Sequence, residues 1–124
     1  MIGYTMVGSN DLEKSTLFYD VLFALLGVNK LHGTDNFIAW GENQQNPMFC
    51  ITKPFDGKEA TVGNGTMIAI KANSQDEVCS VHKKALELGA HNEGEPGLRL
   101  GGYYCAYFRD LDGNKLNIYN FSSK

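Results

Sequence analysis

No cluster of lysine or arginine runs along this 124-residue chain. Nor does any apolar run approach the roughly 20 residues that a membrane-spanning helix requires. The 11 basic residues are outnumbered by 14 acidic ones, and the resulting charge of -3 is scattered through the sequence. Phosphate recognition depends on clustered positive charge, so neither a nucleic-acid partner nor a membrane is expected. The first residues hold no basic segment followed by an apolar core, so the expected location is cytoplasmic. Cysteine is sparse as well: Cys50, Cys79 and Cys105 are odd in number, far apart and without a CxxC pair. That pattern fits buried free thiols of an intracellular protein and argues against a disulfide framework or a redox motif. A Gly-x-Ser-x-Gly elbow for nucleophilic catalysis is also absent.

What remains is ordinary globular composition, 43% hydrophobic and 20% charged, at a length suited to one single-core domain. Periodicity predicts a strand over 2–8 and then a helix on which Leu12, Thr16, Tyr19, Phe23 and Leu26 recur at three- and four-residue steps. Asn10 followed by Glu13 reads as a capping box, and Gly27 as the left-handed stop. Three β-like runs follow over 28–32, 36–41 and 47–53. Residues 54–65, PFDGKEATVGNG, lose all periodicity and read as a linker.

The same grammar then returns. A strand over 66–72 precedes a helix over 74–88, with Val78, Val81, Ala85 and Leu88 on one face. Ser74 with Glu77 makes a second capping box, and Gly89 a second stop. Three further runs, 91–94, 103–109 and 115–121, complete the unit. IKANS falls on VGSND at an offset of 63, and LELGA on ALLGV at 62. The expected fold class is therefore α+β, with two βαβββ modules at about 1–57 and 65–124 in a single domain. Each helix covers one side of its sheet, which leaves the other side to line a cleft.

In the last hairpin, YFRDLDGNKLNIY, Asp110 and Asp112 belong to the turn. There Asp accepts backbone N–H groups and Gly113 takes the positive φ, so they are structural residues rather than an acid/base pair. His32, His82 and His91 match no ligand spacing and are expected at the surface.

SNDLEKSTLFYDVLFALLG, GNGTMIAIKANSQDEV and GEPGLRLGGYYCAYFRDLDGNKLNIY together resemble the glyoxalase / bleomycin-resistance / extradiol dioxygenase superfamily, the vicinal oxygen chelate proteins, over nearly the whole chain. The resemblance implies two modules that curl into half-barrels, and a homodimer. It also implies a divalent metal in catalytic members, held by His and Glu or Gln and acting as a Lewis acid on adjacent substrate oxygens. Here the matching positions carry Tyr4, Met67 and Asn117, and the fourth strand, MFCIT, offers no His, Glu, Asp or Gln. An uncharged amide cannot serve as a base near neutral pH. Neither a metal, nor a cofactor, nor a catalytic residue is therefore expected.

Strand alternation following the family places Tyr4, Met6, Met67, Ala69, Tyr103, Cys105, Tyr107, Asn117 and Tyr119 in the cleft, with Trp40 and Phe49 as candidates from the first module. Arg99 is the positive charge at its mouth, able to select a carboxylate or phosphate. Such walls suit a small planar or amphipathic ligand held by stacking. The functional expectation is metal-independent binding of a small molecule, in the manner of drug-sequestering relatives, with the acidic composition favouring a cationic or neutral ligand. A glyoxalase-type lyase or isomerase with a relocated metal or base is the alternative, and an interaction module without a pocket a third reading.

Overall fold

A computed structural model of the chain describes residues 1–122. They fall into two compact units, Met1–Gly63 and Asn64–Lys124, here called module one and module two. Module one runs β1 (Tyr4–Gly8), α1 (Leu12–Leu25), β2 (Asn29–Gly33), β3 (Phe37–Gly41) and β4 (Met48–Thr52). Module two runs β5 (Ile68–Lys71), α2 (Gln75–Glu87), β6 (His91–Leu98), β7 (Tyr103–Arg109) and β8 (Lys115–Phe121), with a short 3₁₀ turn, Leu100–Gly102, before β7. The sheets share one topology, β1-β4-β3-β2 and β5-β8-β7-β6, so the first strand of each lies parallel to the fourth. The α+β class and the paired βαβββ plan are thus those the sequence pattern implies.

The helices end as their glycines dictate. Gly27 and Gly89 take positive φ, and their N–H groups close back on Ala24 and Leu86. The start of α2 is a capping box: Glu77 N–H donates to Ser74 Oγ, and the Glu77 carboxylate reaches back to the Asn73 N–H. The start of α1 differs from the sequence expectation. Asp11 is the N-cap, accepting from the Lys14 N–H at 3.1 Å. Asn10 is occupied elsewhere, because its amide grips both the N–H and the C=O of Ala60. That pair ties the aperiodic segment to module one, where Gly8 leaves room for Ala60: a Cβ on Gly8 would come within 2.9 Å of the Ala60 Cβ.

The core of module one lies between α1 and its sheet. The buried stripe of the helix is Ser15, Phe18, Tyr19, Leu22 and Phe23, shifted from the expected one because the large apolar residues Phe18 and Leu22 recur with Tyr19 and Phe23 on one face, while Thr16 donates its hydroxyl to the Leu12 carbonyl. Tyr19 and Phe23 pack on Trp40 and Phe49 with ring centroids 4.9–5.6 Å apart. Trp40 donates its indole N–H to the Asp20 carboxylate at 2.9 Å. Trp40 and Phe49, expected as cleft residues, are therefore core residues on the helix side of the sheet, 1% and 5% exposed. Their parity is fixed by register, since Trp40 pairs with Phe49 and both face α1.

Module two is built alike. Val78, Val81 and Ala85 of α2 bury against Ile118, Leu116, Ala106 and Phe108. His82, expected at the surface, is buried among them and hydrogen-bonds Asn92 at 3.1 Å. At the β7–β8 turn, Asp110 accepts from the N–H groups of Asp112 and Asn114, and Gly113 has positive φ. Strand β6 runs four residues past the expected end, because register shifts at Asn92/Gly94 and Gly94/Gly97 absorb the Pro-containing stretch.

Removing Phe49 from the aromatic cluster leaves a cavity that α1 cannot close. Phe49→Ala is expected to cost about 3–5 kcal/mol in chemical denaturation, a loss that a ligand-lining residue outside the core would not produce.

Candidate functional site

Paired residues share a face of a pleated sheet, and successive residues alternate between faces. In module two the residues away from α2 therefore form a grid. Tyr103 lies beside Phe121, Cys105 beside Tyr119, Tyr107 beside Asn117, and Arg109 beside Lys115. On the β5 edge Ala69 adjoins Asn117 and Lys71 adjoins Tyr119; on the β6 edge Gly94 adjoins Tyr107 and Gly97 adjoins Cys105. This far face carries Tyr103, Cys105, Tyr107, Asn117 and Tyr119 together, with Met67 in step with Ala69 just before β5.

Its two ends differ in chemistry. At one end Tyr103 packs on Tyr119 and Phe121, with centroids 5.6 and 4.8 Å apart. At the other, Tyr107 lies between two cations: the Arg99 guanidinium carbon is 5.6 Å from its ring centroid and Lys115 Nζ is 5.7 Å away. Arg99 is held there by donating to the Glu95 carbonyl at 2.9 Å. The glycines of β6 make the space. A Cβ on Gly94 would meet the Tyr107 ring at 2.9 Å, and one on Gly97 would meet the Arg99 guanidinium at 3.0 Å. Arg109, on the same face, pairs with Glu93 at 3.4 Å, whereas among the described residues neither Arg99, Lys115 nor Lys71 has a carboxylate partner. Arg99 was legible in the sequence and Lys71 and Lys115 were not, although Lys115 alternates with Asn117 and Tyr119 along β8 and Lys71 with Ala69 along β5.

Between the two ends stands Asn117. It is 8% exposed; its Nδ2 donates to the soft acceptor Cys105 Sγ at 3.9 Å, and its Oδ1 is buried with no hydrogen-bond partner among the described residues. Burial pushes the Tyr107 phenol above the usual tyrosine value, its hydrogen bond with Cys105 adds to the rise, and Arg99 opposes it.

In module one the far face carries Tyr4, Met6, Met48 and Cys50, in line with Ala39 of β3. Register makes Cys50 the counterpart of Asn117: each lies on the fourth strand, beside Met6 of β1 in one case and Ala69 of β5 in the other. Burial raises the Cys50 thiol, which favours the neutral form and weakens it as a ligand. Two depressions in module one, about 660 and 310 Å³, lie beside α1 instead. They are lined by residues such as Leu12, Asp20, Lys30 and Ile38, and Ser9, Lys53, Pro54 and Lys58, none of them expected at the site.

The four positions at which a divalent metal is implied thus hold a phenol, a neutral thiol, a thioether and an amide. That donor set does not fit a hard cation. Among the described residues, no three His, Cys, Asp or Glu side chains gather at metal-binding distance.

Two four-stranded mixed sheets of identical order, each backed by one helix, define a paired-βαβββ protein of glyoxalase type. A glyoxalase/bleomycin resistance protein from Albidiferax ferrireducens is similar over 98% of this chain and 99% of its own, at 33% identity and a TM-score of 0.89. The chain belongs to the glyoxalase/bleomycin resistance protein family. A hypothetical protein from S. aureus is 25% identical over 97% of this chain and 92% of its own, with a TM-score of 0.73. A lactoylglutathione lyase from Agrobacterium tumefaciens shares the fold at 18% identity, 97% and 92% coverage and a TM-score of 0.69. No family model matches the sequence, and no match emerges among curated proteins.

An orphaned buried amide oxygen costs about 1–3 kcal/mol. Asn117→Leu is therefore expected to raise stability by about 1 kcal/mol in urea denaturation, and a drop would show the oxygen to be satisfied. Tyr107 ionises later folded than unfolded, so its contribution to stability is complete below the ordinary tyrosine value of 10.0 and is lost as pH rises through the higher folded value. In a spectrophotometric titration, Tyr107→Phe is expected to remove a late-ionising phenol.

Proposed function

We propose that the protein binds a small aromatic or amphipathic molecule without a metal and without transforming it, the far face of module two supplying the contacts. The observation that carries this reading is the donor set at the family positions: Tyr4, Cys50, Met67 and Asn117 supply no charged ligand and no general base. Sequestration asks only for affinity, and the flat rings of Tyr103, Tyr107 and Tyr119, with the amide of Asn117, supply stacking surfaces and a polar handle.

A thermal-shift screen of aromatic metabolites and antibiotics, run beside metal analysis of the purified chain, tests the proposal. Ligands that raise the midpoint equally with and without a chelator are the expected result. Stoichiometric zinc or nickel, together with turnover of the methylglyoxal–glutathione adduct, would overturn it in favour of a lyase.

A further inference from the structure

The far face of module two reverses the sign of the chain as a whole. The sequence is acidic at -3, yet Lys71, Arg99, Lys115 and Arg109 share this face, and of the two carboxylates on β6 Glu93 is taken up by Arg109 and His91 and Glu95 by the Asn92 amide. A bare positive patch beside an aromatic ring attracts a planar anion rather than the cationic or neutral ligand suggested by total charge. Two further features shape the patch. Ala69, exposed beside Asn117, leaves a gap in the side-chain layer between Lys71 and Met67. Asn117, whose Oδ1 is buried and has no partner among the described residues, is the residue paired with Ala69 at that gap, and the oxygen asks for a donor.

We infer that module two recognises a planar carboxylate carrying an O–H or N–H donor at its opposite end, the donor bonding Asn117 Oδ1 and the carboxylate lying with Arg99 and Lys115. The spacing agrees. Asn117 is directly paired with Tyr107, which the cations flank, and Lys115 lies two residues along β8 on the same face. Such neighbours are separated by about 5–8 Å, close to the length of one aromatic ring with substituents at both ends. Arg99 Nη2 gives one N–H to the Glu95 carbonyl, which holds the guanidinium in place, and its remaining N–H groups are the donors for a carboxylate.

This assignment rests on the proposed metal-free binding and gives it a ligand class. It is tested with three matched probes, 4-hydroxybenzoate, 4-hydroxybenzamide and 4-methoxybenzoate, titrated by calorimetry into the chelator-treated chain at low salt. The first is expected to bind about tenfold or more tightly than either analogue, since each lacks one charge-assisted or buried hydrogen bond. Arg99→Gln/Lys115→Gln should erase the preference for carboxylate over amide. Asn117→Leu should erase the preference for hydroxyl over methoxy without lowering stability. Equal affinity for all three probes, or no binding of any at millimolar concentration, overturns the anion-and-donor assignment. Metal-free binding as such is decided separately by the thermal-shift screen, so the two can fail independently.

Discussion

The parallel pairing of β5 with β8, repeated by β1 with β4, governs the rest of the structure. A parallel neighbour cannot be reached by a tight turn, so the chain must leave the first strand, cross by way of a helix and return through a meander before the fourth strand can close against the first. The crossing places α1 and α2 on one side of their sheets and none on the other. Side chains that point toward the helix become core. Those that point away are free to differ between the modules, and they do: Cys50 and Asn117 occupy the same place in the register with different chemistry.

The two cores solve the same geometric problem with different materials. In module one, four large rings from Tyr19, Phe23, Trp40 and Phe49 fill the space beneath α1, and the indole N–H is satisfied by Asp20. In module two the helix contributes small residues, Val78, Val81 and Ala85, and the sheet supplies Phe108, Leu116 and Ile118. Aromatic side chains in module two are consequently spared for the far face, where Tyr103, Tyr107 and Tyr119 lie. The division of rings between core and surface is what leaves the second module an aromatic far face.

Much of this was legible in the residues. Gly27 and Gly89 marked both helix ends because a left-handed residue without a Cβ is what a helix stop requires. The Asp-Gly turn fixed the register of β7 and β8, and with it the shared face of Cys105, Tyr107, Asn117 and Tyr119. Trp40 and Phe49 were misplaced because β3 and β4 read as continuous apolar runs, which carry no alternation to assign a face. Asn10 and Asp11 are both good caps in isolation, and a contact fifty residues away with Ala60 decided between them. Lys71 and Lys115 gained meaning only once register aligned them beside Tyr119 and Arg109.

The amide at Asn117 has one more consequence. Imidazole and carboxylate groups change charge between mildly acidic and neutral conditions, and a centre built from them gains or loses its cargo with acidity. Asn117 has no proton to exchange in that range. The part of the far face that Asn117 occupies therefore holds the same polarity from an acidified medium to a neutral one.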